Sequence, residues 1–216
     1  MSTDAQECVF GGGNAARGVF MLTIEQSLAR ALLESVHAQR YEYTKEGVVF
    51  PREAAMLAGV YTVHAPGGRR EHRNLVTKEG LLHLLNVALG TTPKPTGYYI
   101  ALFSGSSAPA SNWAASNFST VASELVSLTE GYTLATRIPV TFANASADTH
   151  IDNHGNEVEV TFATSNAVNV TGSALLTSAA KGSTTGTLVS ASLYPAAYTF
   201  QNGNTFKVGY RLELTV

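Results

Sequence analysis

Residues His150-Ile151-Asp152-Asn153-His154 are the densest run of metal-ligating side chains in the chain. On a strand, alternate residues share a face, so His150, Asp152 and His154 could turn together towards a divalent metal. The same letters also spell a turn. Asp152-Asn153-His154-Gly155-Asn156 has the composition of a polar loop tip leading into a strand at Glu157. A structural zinc site takes four protein ligands, and no second cluster accompanies these three. The oxygen-rich stretch from Asp148 to Glu157 lacks the ligand spacing of an EF-hand. The expectation is no metal and no cofactor, with His150, Asp152 and His154 as the candidates to examine.

Catalytic arrangements are scarcer still. Gly11-Gly12-Gly13-Asn14-Ala15-Ala16 has the letters of a dinucleotide-binding loop but no preceding strand to place it at a phosphate. Ser104-Gly105-Ser106-Ser107 lacks the strand-elbow-helix setting of a nucleophilic serine. Cys8 lies in a Gly-rich segment where a base would be hard to hold nearby. Glu157 and Glu159 share a strand face, yet two acids on a solvated strand do not define a glycosidase cleft. A non-enzymatic protein is expected.

Residues suited to gripping another protein are easier to find. Arg69-Arg70-Glu71-His72-Arg73 is the one basic cluster, read as a linker between a Pro-Gly-Gly turn and a helix. Arg69, Arg70 and Arg73 could pair with an acidic partner surface. Trp113 and Phe118 flank a Ser/Ala/Asn stretch and serve either as a plug in one end of the core or as exposed aromatic anchors. Phe10, Val19 and Phe20 are the apolar residues of the N-terminal arm that could dock on a neighbour.

The elements that position these residues follow from composition and periodicity. The chain has 216 residues, a net charge of -2, 44% hydrophobic residues and 14% charged ones. It can bury a core, and its weakly charged surface argues against following phosphates or anionic lipid, so neither nucleic acid nor membrane is expected as a partner. One cysteine permits no internal disulfide, and the acidic N-terminus does not read as a signal peptide, so assembly in cytoplasm is expected. About 18 of the 30 Asp, Glu, Lys and Arg residues precede position 90. Three regions result: an arm at 1–20, a helical and mixed region at 21–90 and a β-sandwich at 91–216.

Within them, Thr23 reads as an N-cap, with Ile24, Leu28, Leu32 and Val36 as the stripe of an amphipathic helix to about residue 39. A strand pair is expected around Glu46-Gly47, a short helix over 51–58 and a strand over 60–64. A second helix spans about Thr77 to Leu89, with Leu81, Leu84, Leu85 and Ala88 on one face. Strands follow at 98–103, 124–128, 132–142, 157–163, 168–176, 187–194 and 205–216, with Gln201-Asn202-Gly203-Asn204 as a turn. Many short strands without intervening helices predict an α+β, mainly β chain built on an antiparallel β-sandwich or jelly roll.

The order Tyr98-Tyr99-Ile100-Ala101-Leu102-Phe103, Ser123-Glu124-Leu125, Gly131-Tyr132-Thr133-Leu134-Ala135-Thr136-Arg137 and Asn202-Gly203-Asn204 resembles the small β-sandwich structural proteins of tailed bacteriophages. The likeness covers roughly residues 75–216. It lacks that group's acidic residue at the last turn, and the N-terminal third is additional. The resemblance implies a virion component without an active site. Its leading form is a capsid cement (decoration) protein on the capsid surface, with the major capsid protein as partner and a homo-oligomer, dimer or trimer, as its state. Avidity from many copies would then suit weak individual contacts. A tail- or fibre-associated receptor-binding module is the alternative, and a carbohydrate-binding sandwich the third reading.

Overall fold

The computed structural model describes residues 41–43, 45, 49–51, 56–65 and 68–215. The arm, its Phe10, Val19 and Phe20, Cys8 and the helix expected to residue 39 lie outside the described residues. The chain divides into two units, one of Met1–Ala54 with Val216 and one of Ala55–Thr215. In the first, β1 (Tyr41–Tyr43) and β2 (Val49–Pro51) pair antiparallel, Tyr43 opposite Val49. This is the strand pair expected around Glu46-Gly47. Pro51 closes β2 instead of opening a helix.

The second unit runs β3 (Met56–Ala65), β4 (Gly68–Arg73), β5 (Leu75–Val76), α1 (Lys78–Ala88), β6 (Tyr98–Phe103), α2 (Ala115–Ala122) and β7 (Gly131–Tyr132). It continues with β8 (Ile138–Val140), β9 (His150–Asp152), β10 (Glu159–Ala163), β11 (Val168–Leu176), β12 (Leu188–Phe200) and β13 (Thr205–Thr215). One sheet has the order β4-β3-β13-β10-β7, with β9 also on β13; the other has the order β5-β12-β11-β6-β8. Every named pairing is antiparallel, and the two sheets pack face to face as a β-sandwich.

Strand sequences explain the layering. Val208 and Tyr210 of β13, with Tyr61 and Val63 of β3, are buried against Ile100, Leu102, Leu175 and Val189 of the opposite sheet. Phe162 stacks flat on Phe200 across the sandwich, ring centroids 4.2 Å apart. Tyr98–Phe103 reads as a continuous apolar run because β6 is covered on both faces. Ile100 and Leu102 face the sandwich interior, while Ala101 and Phe103 face a second core with Trp113, Phe118 and Ala122. The described unit is therefore three layers, sheet on sheet with α2 over the outer face.

Several expectations change. The sandwich does not start at 91: β3, β4, β5 and α1 belong to the same unit. The drop in charge near 90 does not mark where that unit begins. Met56–Ala58, assigned to a short helix, begins β3 and pairs with the end of β13. Arg69–Arg73 is strand and not linker. The expected strand at 124–128 reduces to one bridge between Glu124 and Phe103, and 132–142 splits between two sheets, β7 on β10 and β8 on β6.

Helix α2, where no helix was expected, begins at the end of the Ser/Ala/Asn stretch and continues past it to Ala122. Its N-cap position is Ala114, which offers no capping oxygen. Instead the Asn117 side chain reaches back to accept from the Ala114 N–H at 3.0 Å. Ser123, with φ of 55°, ends the helix in the left-handed region, where its N–H donates to the Ser119 carbonyl.

Candidate functional site

Asp152 lies between two histidines. His150 Nε2 is 3.3 Å and His154 Nδ1 3.8 Å from the same Asp152 oxygen. The two histidines arrive differently: His150 and Asp152 are on β9, whereas His154 follows in a turn completed by Gly155 at φ of 85°. Asp152 Oδ1 holds that turn by accepting from the His154 N–H at 3.0 Å. His154 Nε2 is engaged with Thr62 Oγ1 at 3.0 Å. Among the described residues no group of three or more His, Cys, Asp or Glu is arranged to hold a metal ion. Both readings of the sequence thus describe part of one motif, strand first and turn second.

Asn153, which looked like a solvated turn residue, is buried. Its Oδ1 accepts from the Tyr210 N–H at 2.7 Å, and its N–H donates to the Tyr210 carbonyl at 3.3 Å. It continues the β13 ladder in the gap between β9 and β10. Glu157 lies ahead of β10, which begins at Glu159, so the two carboxylates do not share a strand face, and they take separate partners. Glu157 accepts from the Gly155 N–H at 2.9 Å with His64 3.8 Å away, and Glu159 faces Lys207 at 3.6 Å.

The three arginines share an edge. β4 pairs with β3 on one side and is the outermost strand of its sheet. Arg69, Arg70 and Arg73 are exposed, and Arg69 donates to Glu71 at 2.9 Å. Among the described residues neither Arg70 nor Arg73 has an ion-pair partner within 4 Å. Beside them, His72 lies against Tyr194 with ring centroids 4.3 Å apart and is 2.9 Å from the Tyr198 hydroxyl. Burial, helped by the Arg70 charge, pulls the His72 pKa below its usual value. A cavity of about 290 Å³ opens here, lined by Arg70, His72 and Pro195 to Tyr198. Its floor is a bulge: β12 advances from Leu193 to Tyr198 while its partner β11 steps only from Gly172 to Val170.

Trp113 and Phe118 are the plug, not the anchors. Trp113 is 6% exposed and Phe118 fully buried, in edge-to-face contact with each other and with Phe103. They are therefore removed from the set of partner-binding residues.

A different apolar surface takes their place. Helix α1 is fixed by its first turn. The Thr77 hydroxyl accepts from the Gly80 N–H at 3.0 Å and donates to the Leu188 carbonyl at 2.6 Å. Glu79 Oε2 accepts from the N–H groups of Ala115 at 2.8 Å and Leu188 at 2.7 Å. Gly80, the buried residue of the helix, lies directly on the Val189 carbonyl of β12. Of the expected stripe, Leu84 is half-buried while Leu81, Leu85 and Ala88 are exposed, and the outward leucines are Leu81, Leu82, Leu85 and Leu89, 44%, 52%, 58% and 85% exposed. Periodicity located the helix but not the leucine face it leaves outward, because Thr77, Glu79 and Gly80 anchor it by a different side.

Behind α2 lies a buried ion pair. Arg137 donates to both Glu124 oxygens, at 2.7 and 2.9 Å, and to the carbonyls of Ser178 and Ser183. Nearby, Lys181 Nζ sits 3.4 Å from the Tyr132 ring centroid and donates to the Tyr132 carbonyl. Burial lowers the Lys181 pKa to about 8, against the pull of Glu124.

Among the described residues no helix is long and apolar enough to cross a membrane. Compared with known proteins, the chain matches no family model and no curated sequence.

Proposed function

We propose that this chain is a non-enzymatic structural protein of a tailed-bacteriophage particle, a cement protein that binds the major capsid shell. The observation that carries the reading is the arginine edge. Arg70 and Arg73 stand exposed on the outermost strand of a rigid sandwich, without an ion-pair partner among the described residues. Charges on an edge strand deter indiscriminate strand pairing while leaving a surface complementary to an acidic partner. The order of motifs in residues 75–216 supplies the class of partner, and the sandwich is the fold that this resemblance implies. Many copies on a symmetric shell would hold through modest contacts of this kind by avidity.

The test is copy number per purified particle, by quantitative mass spectrometry against the major capsid protein. The expected ratio is one or a simple fraction of one, as closed symmetry requires. Arg70→Glu with Arg73→Glu should lower occupancy, and added salt should weaken wild-type binding. A handful of copies would move the protein to the tail or fibre. Absence from particles would overturn the reading.

A further inference from the structure

From the outward leucines of α1 we infer that two copies of this chain pair through that helix, antiparallel across a twofold axis. Leu82, Leu85 and Leu89 have the three-then-four spacing of a coiled-coil seam, with Leu81 beside them. Together the four leave in water the equivalent of more than two whole leucine side chains. An apolar group of this density on one rigid face marks a contact surface. Two such faces brought together bury on the order of 800 Å², about half of a standard interface of roughly 1,600 Å². That is the share expected of an apolar interface centre, with a polar rim to complete it. Lys78, Asn86 and the Thr91-Thr92 segment flank the leucines and are exposed, so they supply such a rim.

Charge selects a second copy and an antiparallel sense. The helix carries two charged residues, Lys78 and Glu79, both at its start, and Glu79 is turned inward onto the Ala115 and Leu188 amides. Nothing on the leucine face therefore repels its own image. The last turn of α1 has no basic residue to meet its carbonyl end. In an antiparallel pair Lys78 of each copy lies over the carbonyl end of the partner's helix, which is the favourable placement for a cation. A parallel pair would set the two Lys78 side chains together. The association does not depend on the shell reading, since it forms between copies in solution.

Sedimentation equilibrium of the full chain tests this. Wild type should shift from monomer to dimer as concentration rises through the micromolar range. Leu85→Glu and, separately, Leu82→Glu should each weaken dimerisation at least tenfold while leaving the thermal melt unchanged at concentrations low enough to keep wild type monomeric, because in the single chain both side chains are in water. On a Cys8→Ser background, a mixture of Leu82→Cys and Leu89→Cys should form mixed disulfides faster than either variant pairs with itself. A monomer at every concentration, or a dimer indifferent to both glutamates, overturns the proposal. A monomer whose Leu85→Glu variant melts lower would show that the chain covers this face itself. One whose variants lose only shell binding would give the face to the capsid. Either result overturns the dimer.

Discussion

Arg137 and Glu124 form a two-bonded ion pair with both side chains fully out of water. The pair ties the end of α2 to the segment leading into β8. Its remaining polar positions are met by the carbonyls of Ser178 and Ser183 and by the Gly182 N–H. A buried pair of this kind costs much of its attraction in desolvation, so intact it adds little, but half of it is severely destabilising. Arg137→Met should therefore lose about 3–5 kcal/mol of unfolding free energy. Adding Glu124→Leu should recover a large part of that loss. Urea titration of the two single variants and the double variant measures the coupling.

Gly80→Ala sets two effects against each other. Alanine in a helix interior is worth about 1 kcal/mol over glycine. Here its Cβ would enter the Val189 carbonyl, which is backbone and cannot swing aside. Overpacking of that sort costs about 1–3 kcal/mol, so the net change should be destabilising. A melting-temperature increase would show that α1 is free to lift off β12.

Trp113 is the chain's one tryptophan and is nearly solvent-free. Its fluorescence should be blue-shifted in the native protein, poorly quenched by iodide, and red-shifted on unfolding. Phe118→Ala removes an aromatic neighbour from the second core and should cost about 3–5 kcal/mol. The same variant should raise iodide quenching of Trp113 under native conditions.

His72 gives a pH dependence with a definite sign. Burial holds its folded pKa below the ordinary 6.5, and Arg70 adds to the depression. As pH falls through 6.5, the unfolded chain binds this proton more readily than the folded chain does. Stability therefore declines with acidification at this site. His72→Gln should reduce the slope of stability against pH between neutral and mildly acidic conditions, measured by urea unfolding at a series of pH values.

What the sequence made legible was whatever burial writes into a period. The continuous run Tyr98–Phe103 and the alternation through Tyr210 each locate a strand that lies where expected. Thr77 and Gly90 bracket α1 as helix-end chemistry suggests, the Gly90 N–H donating to the Leu85 carbonyl at 3.3 Å. What stayed hidden depends on distant partners. The strand character of Arg69–Arg73 comes from pairing with Val60–His64, and an exposed edge strand has no apolar alternation to betray it. Helix α2 was masked by Ser and Asn, and its cap is an asparagine inside the helix. The direction of the α1 leucines rests on Gly80 touching β12, a contact separated by more than a hundred residues. The burial of Trp113 was undecidable without the sheet beneath it.

The place of β13 bears on how this protein is made. It is the last described strand in the sequence, yet it pairs with β3 on one side and with β9 and β10 on the other. During synthesis β3 and β4 emerge early and must wait for a strand more than a hundred residues downstream. Until then their free edges and the apolar faces of Tyr61 and Val63 are open to wrong pairings. A nascent chain of this topology closes its first sheet only after translation reaches β13, so its folding should be slow and dependent on chaperones at high expression.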